Sequence, residues 1–148
     1  MNRDERFMRE ALEEAEKAEQ RGEVPVGAVV VTGGRIIARG YNKPVSENDP
    51  TAHAEIVALR EACRRIRNCR LSECDLYVTI EPCAMCLGAA VLARIRRMIF
   101  GAHDPKGGAV ESVMMFPFGK LNHRIEIKSG VLASECGKIL KDFFEKRR

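Results

Sequence analysis

The chain has 148 residues, of which 45% are hydrophobic and 31% are charged. This length predicts a single domain across residues 1–148, and this composition excludes a disordered or fibrous chain. No apolar run approaches the roughly 18 residues of a membrane-spanning helix, and the charged segment 1–21 lacks the apolar core of a signal peptide. We therefore expect a cytoplasmic protein that has no membrane partner.

The net charge of +4 at pH 7 is unevenly distributed along the chain. Residues 1–23 hold five bases and eight acids, so the remaining residues carry a net charge of +7. Basic clusters occur at residues 60–70, 94–97 and 146–148. A polyanionic partner such as a nucleic acid fits this charge, although arginines on helix faces also keep small proteins soluble.

The first part of the chain predicts a surface helix followed by a β-hairpin. Apolar residues recur at helical spacing over residues 4–21. Residues 24–31 are apolar and β-branched, Gly33-Gly34 is a typical two-residue hairpin turn, and residues 35–41 supply the second strand.

Helices and strands alternate over the rest of the chain. A helix is predicted from Thr51, and its buried stripe consists of Ile56, Leu59, Cys63 and Ile66. The remaining predicted elements are a strand at 75–80, a helix from Pro82, strands at 97–101 and 125–128, and a last helix capped by Ser134, whose Ile139, Leu140, Phe143 and Phe144 face the core. This order predicts an α/β fold with helices on both faces of a mixed sheet.

The spacing of Cys83 and Cys86 points to metal or redox chemistry, because cysteines in a reducing compartment are not expected to form disulfides. Both lie at the predicted start of a helix, where the helix N-terminus lowers the thiol pKa. With His53 as a third ligand they form a set that suits zinc. Three protein ligands leave the fourth tetrahedral position to water, as in catalytic sites.

Glu55 stands two residues after His53, where a purely structural zinc site has little use for a carboxylate. Residues two apart point to nearly opposite sides of a helix, so the two side chains can serve one centre only if the site faces the helix end. Given that geometry, we expect Glu55 to take a proton from water and later deliver protons to the leaving group.

The two motifs together carry more information than either alone. H-A-E at residues 53–55 lies at a helix start, and P-C-A-M-C at residues 82–86 follows a strand; this arrangement occurs in zinc-dependent nucleobase and nucleoside deaminases. The segment G-A-H-D-P-K-G-G-A at residues 101–109 is more selective. Over nearly its whole length the chain resembles bacterial tRNA adenosine deaminases, which convert the wobble adenosine of an anticodon to inosine.

This resemblance implies a three-layer α/β/α deaminase fold with a mixed sheet of about five strands, a bound zinc ion and a tRNA anticodon stem-loop as substrate. It also implies a homodimer, for which the apolar segment 113–118 offers a seam. The implied site consists of zinc ligands His53, Cys83 and Cys86, the proton shuttle Glu55, and a base-edge contact Asn42 beside Val26 and Ala52.

Further residues fit an RNA substrate. Asn42 has a donor and an acceptor for a purine edge, although an asparagine after a strand is also a common turn residue. Asp104 can accept a hydrogen bond from a ribose 2′-hydroxyl, and Lys106 of the same segment is a further expected RNA contact. Helical spacing assigns at least one of Phe143 and Phe144 to the core, and Phe144 is the candidate for stacking on bases.

Two other functions stay open at this point. A free guanine, cytosine or cytidine deaminase would share the zinc motifs but would have little use for a basic rim. A non-catalytic, zinc-stapled RNA-binding module would hold its metal with four protein ligands and would unfold when zinc is removed.

Overall fold

The computed structural model describes residues 1–147, so Arg148 of the predicted basic cluster lies outside the described residues. The elements are α1 (Arg3–Gln20), β1 (Gly27–Thr32), β2 (Arg35–Tyr41), α2 (Ala54–Ile66), β3 (Asp75–Ile80), α3 (Ala84–Leu92), β4 (Arg97–Ala102), a short 3₁₀ turn (Phe118–Lys120), β5 (Glu126–Lys128) and α4 (Ala133–Glu145). No helix within residues 1–147 is both long enough and apolar enough to cross a membrane.

The five strands form one mixed sheet in the order β2-β1-β3-β4-β5. Strand β1 is antiparallel to β2 and to β3, whereas β3, β4 and β5 are parallel. The β1–β2 hairpin turns at Gly33 and Gly34, whose φ angles of 57° and 76° suit a type I′ turn. The predicted α/β class and mixed sheet of about five strands are confirmed.

Helices cover both faces of the sheet, so the fold has three layers. Alternate strand residues point into two separate cores. Val30 and Leu76 pack with α2 and α3 on one face, whereas Val29 and Tyr77 pack with α1 and with Cys136 of α4 on the other. The sheet is therefore buried on both sides, as the sequence pattern predicted.

Two glycines allow helices to lie directly on the strands. A Cβ atom at Gly27 would lie 2.0 Å from the carbonyl oxygen of Ala11 in α1, and one at Gly40 would lie 2.5 Å from that of Ala54 in α2. Neither position can accept a side chain without moving a helix. The contact at Gly40 matters for the site, because Ala54 follows His53 directly.

Helix α2 begins at Ala54, three residues later than predicted. Asp49 Oδ1 accepts hydrogen bonds from the backbone N–H of Thr51 at 2.9 Å and from its hydroxyl at 2.7 Å. This local turn holds the chain out of the helix until His53, which becomes the N-cap residue with extended backbone angles.

The buried face of α2 also differs from the predicted stripe. Ile56 and Leu59 are buried, but Ile66 is 40% exposed, so its assignment to the core is wrong. The deepest side chains of this helix include Ala58 and Ala62, which are fully buried. These small residues permit the close approach of α2 to the sheet, whereas Ile66 is the last residue of the helix.

The start of α4 also differs from the prediction. Its N-cap residue is Leu132, which has a left-handed backbone with φ 53°, and its first helical residue is Ala133. The Cys136 N–H donates to the Leu132 carbonyl at 3.0 Å and closes the first turn. Ser134 therefore lies inside that turn, and its predicted role as the cap is wrong.

Candidate active site

The structure brings His53, Cys83 and Cys86 together at the N-termini of two helices. His53 is the N-cap residue of α2, Cys83 is the N-cap residue of α3, and Cys86 lies in the first turn of α3. The His53 Nδ1 atom lies 3.6 Å from the Cys83 sulfur and 3.7 Å from the Cys86 sulfur. The ligand atoms of all three residues lie within 4.8 Å of one another, so the group could hold a metal ion.

These separations can be compared with those around a single tetrahedral ion. Metal–sulfur bonds of about 2.3 Å and metal–nitrogen bonds of about 2.0 Å at tetrahedral angles place the sulfur and nitrogen atoms about 3.5 Å apart. The two observed sulfur–nitrogen distances are close to this value. Within residues 1–147 this is the one group of His, Cys, Asp and Glu side chains compact enough for a metal.

The two sulfurs differ in their electrostatics. A hydrogen bond from the Cys86 thiol lowers the pKa of Cys83 to about 4. The same contact, together with burial, raises the pKa of Cys86. These shifts come mainly from the contact between the two sulfurs and from burial, so the expected effect of the helix N-terminus on both thiol pKa values stays a prediction.

Glu55 lies beside the cluster and is only 3% exposed. Burial raises the pKa of its carboxyl group to about 7. Because His53 precedes the first turn and is not itself helical, the opposite directions of residues two apart in a helix do not apply to this pair. His53 and Glu55 accordingly line the same cavity.

A cavity of about 620 Å³ opens in front of the cluster, within the range of sites for small ligands. It brings together most of the residues that the sequence singled out. Its lining includes His53, Glu55 and Cys83, and further Val26, Asn42, Asp104, Lys106 and Phe144. Helix α4 closes one side through Gly137, Leu140 and Lys141.

Ala52 differs from the other predicted pocket residues. It is 3% exposed and is not among the residues of the described chain that line this cavity. It instead borders a polar groove between β2 and α2. Its carbonyl accepts the Lys43 N–H at 2.9 Å, so it supports the backbone immediately after Asn42.

The Asn42 side chain has a defined orientation. Its Oδ1 atom accepts a hydrogen bond from the Ala54 N–H at 2.9 Å. Since a backbone N–H can only donate, the amide oxygen must face Ala54, and the amide NH₂ group is the part that can bind a ligand. Asn42 therefore offers the cavity a donor, whereas the sequence left both a donor and an acceptor open.

Asp104 is half-buried at the edge of the cavity. Its Oδ1 atom accepts the Lys106 N–H at 3.0 Å, which bends the chain between them. Within residues 1–147 its Oδ2 atom has no hydrogen-bond donor, so this oxygen is free to accept one from a ligand.

The two phenylalanines of α4 have different environments. Phe143 is 3% exposed and belongs to the core, with the Arg147 guanidinium 3.6 Å from its ring centroid. Phe144 is 49% exposed and lines the cavity, so its placement among the core-facing residues of the last helix is wrong. The prediction that at least one of the two is a core residue is confirmed.

Two buried carboxylates beside the cavity were missed by the sequence reasoning. Glu23 is 2% exposed and accepts the N–H groups of Val45 and Ser46 at 3.3 and 2.6 Å. Glu81 is 1% exposed and lines the cavity next to Cys83. Burial acts to raise the pKa of each, but hydrogen bonds donated to the carboxylate lower it overall. At Glu81 the sequence offered one signal, an acid between the apolar end of a strand and Pro82, whereas nothing comparable marks Glu23.

A family model described as MafB19-like deaminase matches residues 1–148. Two curated relatives are named tRNA-specific adenosine deaminase. The relative from Haemophilus influenzae is 54% identical over 147 residues, covering 98% of this chain and 85% of its own. The relative from Bacillus subtilis is 48% identical over 149 residues, covering 100% and 92%.

A solved structure has the same fold with a TM-score of 0.87 and 51% identity, over 91% of this chain and 99% of its own. It comes from studies of A-to-I editing by tRNA deaminases at the wobble position of transfer RNA. The chain belongs to the MafB19-like deaminase family and, within it, to the tRNA-specific adenosine deaminases. The family predicted from the sequence is thus confirmed, and the protein is an enzyme.

Proposed function

We propose that the protein hydrolyses the wobble adenosine of a tRNA anticodon loop to inosine and releases ammonia. In this reaction water adds at C6 of the purine, the C6–N6 bond breaks, and the exocyclic nitrogen leaves with the protons it needs. The observation that carries the proposal is the cluster of His53, Cys83 and Cys86 with Glu55 on the wall of one cavity, in a chain 54% identical to a tRNA-specific adenosine deaminase.

We assign the cluster to zinc, with His53, Cys83 and Cys86 as its protein ligands. Two sulfurs and one imidazole nitrogen at these distances suit zinc, and three protein ligands are typical of catalytic sites. When bound there, zinc would polarise a water molecule toward attack on the base. A structural zinc module would need a fourth protein ligand, which the cluster within residues 1–147 does not supply.

Glu55 is assigned as the group that moves protons. Its carboxyl group lies on the cavity wall with His53 and Cys83, where a base that enters the cavity would meet it. It accepts a proton from water as the C6–O bond forms and donates protons to the departing nitrogen. A general acid–base group of this kind contributes about 10²- to 10⁴-fold in rate.

Asn42 and Val26 are assigned to recognition of the base. Adenine presents acceptor nitrogens along its ring edges, and the fixed NH₂ group of Asn42 can donate to one of them. Val26 is 5% exposed and supplies an apolar part of the cavity wall. Ala52 supports this wall from behind through its bond to Lys43.

The rim of the cavity is assigned to the RNA around the flipped base. Lys106 and Lys141 can neutralise phosphates there. The free Oδ2 atom of Asp104 can accept a hydrogen bond from a ribose 2′-hydroxyl, which DNA lacks. Phe144, half-exposed at the same rim, can stack on a neighbouring base.

We further propose that the enzyme is a cytoplasmic homodimer in which residues 1–148 act as one deaminase domain. Exposed apolar side chains support a partner surface. Met114 and Met115 are 49% and 80% exposed, and Leu92 on α3 is 79% exposed beside an apolar groove between α2 and α3. A second copy of the chain is the simplest cover for these side chains.

A substrate panel tests the proposed activity. The protein is incubated with an RNA anticodon stem-loop carrying adenosine at the wobble position, with the same stem-loop carrying that adenosine one position away, and with free adenosine, guanine and cytidine. Mass spectrometry then measures the products, with the Glu55→Ala variant as the control for contaminating activity. We expect inosine from the wobble stem-loop alone. Conversion of only the free compounds would overturn the assignment of the substrate.

A further inference from the structure

Glu81 lies between the last residue of β3 and Pro82-Cys83, which lead into α3. Its side chain is 1% exposed. Both of its carboxylate oxygens accept hydrogen bonds in the folded protein. Glu81 does not belong to the metal-ligand cluster, and the acid–base role is assigned to Glu55. Its contacts all lead to one segment of the chain, residues 104–112.

The carboxylate of Glu81 collects five hydrogen bonds from this segment. Its Oε2 atom accepts three consecutive backbone N–H groups, from Val110, Glu111 and Ser112, at 3.0, 2.9 and 3.1 Å. Its Oε1 atom accepts the Asp104 N–H at 3.1 Å and the Ser112 hydroxyl. One side chain thus holds both ends of the segment.

The packing at Gly108 shows how closely the segment fits around this carboxylate. A Cβ atom added at Gly108 would lie 2.3 Å from Glu81 Cδ, so only glycine can pass there. Two backbone bonds join the same parts of the chain without the carboxylate, from the Glu81 N–H to the Ala102 carbonyl and from the Ala109 N–H to the Pro82 carbonyl, at 2.8 and 2.9 Å. Removing the charge should therefore loosen the segment without detaching it.

Segment 104–112 carries Asp104 and Lys106, which line the same cavity as His53 and Cys83 of the metal-ligand cluster. We propose that Glu81 is a positioning residue, which fixes segment 104–112 against the start of α3 and thereby sets the RNA-contacting side of the cavity relative to the metal-ligand cluster. This inference rests on the proposed function, because the relative position of segment 104–112 and the metal-ligand cluster matters only for a substrate RNA that contacts both.

The Glu81→Gln substitution tests the proposal with little change in volume. An amide has one acceptor and one donor end, whereas the segment directs N–H donors at both oxygens of Glu81. Whichever way the glutamine turns, its NH₂ group faces at least one backbone N–H that has lost its acceptor. Small displacements of substrate-positioning groups can cost up to about 100-fold in rate.

We expect the Glu81→Gln variant to bind zinc at the wild-type stoichiometry while kcat/KM on the wobble stem-loop falls about 10- to 100-fold, measured at a temperature where circular dichroism shows a fully folded protein. Glu81→Asp keeps the charge and should recover part of the loss. Amide hydrogen exchange should accelerate within residues 104–112 and remain unchanged in α1. A role in stability alone would lower the melting temperature and leave kcat/KM of the folded protein at the wild-type value, which would overturn the proposal.

Two further variants keep the test decisive if Glu81→Gln does not fold. Ser112→Ala removes only the hydroxyl bond to Glu81 and should lower kcat/KM by about three- to tenfold; no loss there would contradict the proposal. Glu14→Gln is the matched control, because Glu14 is 3% exposed and paired with Lys17 and Arg39 away from the cavity, and it should leave kcat/KM unchanged. Inactivity of the wild-type protein on the stem-loop would overturn the proposed function, and the hydrogen-exchange comparison would still decide whether Glu81 holds the segment.

Discussion

An ion network around Asp4, none of whose residues line the cavity, allows a quantitative prediction about stability and pH. The Asp4 side chain is 12% exposed and binds three partners. Its Oδ1 atom accepts the Tyr77 hydroxyl at 2.6 Å, and its Oδ2 atom accepts Lys128 Nζ at 2.7 Å and an Arg97 nitrogen at 3.1 Å. Burial alone would raise the pKa of Asp4, but the hydrogen bonds from Lys128, Tyr77 and Arg97 lower it to about 2.

The size of this effect follows from linkage between protonation and folding. One pKa unit corresponds to about 1.4 kcal/mol, so a shift from 3.8 to about 2 contributes about 2 kcal/mol to the free energy of unfolding. Because the pKa is lower in the folded state, this contribution is fully present above about pH 4 and is lost as the pH falls toward 2. At pH 7 the Asp4→Asn variant should lose about 2 kcal/mol, or about 4–8 °C in Tm for a chain of this size.

Urea unfolding of wild type and Asp4→Asn between pH 7 and pH 2.5 measures this contribution. The gap between the two proteins should be largest at neutral pH and should shrink below about pH 4. Glu126→Gln is the matched control, since Glu126 lies 3.9 Å from the same arginine but is 76% exposed, and it should change stability by less than about 0.5 kcal/mol. A gap that stays constant down to pH 2.5, or that is no larger than the control's, would show that the Asp4 carboxylate does not stabilise the fold in this way.

Three predictions concern the site. Glu55→Ala should retain zinc but lose about 10²- to 10⁴-fold in kcat, whereas His53→Ala should lose both zinc and activity; metal analysis with single-turnover kinetics distinguishes them, and normal rates for Glu55→Ala would exclude the mechanism. Asp104→Asn should raise activity on a matching DNA stem-loop relative to RNA, because the contact to the 2′-hydroxyl is lost; an unchanged ratio argues against that role. Phe144→Ala should raise KM for the stem-loop with little effect on Tm, whereas Phe143→Ala should cost about 3–5 kcal/mol of stability. If the two variants changed KM by the same factor and Tm by the same amount, the assignment of Phe144 to RNA binding would be contradicted.

Local patterns were sufficient to predict most of the fold from the sequence. The glycine pair of the β1–β2 turn and the β-branched runs have strong local preferences, and β3 lies at the predicted residues. The candidate ligands were also accessible, because each belongs to a short motif at a helix start. The ligand atoms of the three residues lie within 4.8 Å of one another only because of the three-dimensional fold, but the motifs together predicted that they would meet.

The roles of Glu23 and Glu81 could not be predicted, because their partners are distant in the chain. Glu23 binds residues 22 and 23 positions away, and Glu81 binds residues 23 to 31 positions away. The hydrophobic periodicity of a sequence does not reveal contacts between distant residues, and acidic residues are most often exposed. The orientation of Asn42 was inaccessible for the same reason, since it depends on the Ala54 N–H that the late start of α2 leaves free.

A zinc ion held by three side chains is the basis of the proposed reaction, and X-ray absorption spectroscopy of the zinc-loaded protein examines that ion and its ligands. We expect one zinc per chain with two sulfur neighbours at about 2.3 Å and two lighter neighbours at about 2.0 Å, and the loss of this signal in His53→Ala. A spectrum with four protein ligands, or a fully active protein from which zinc is absent, would contradict it.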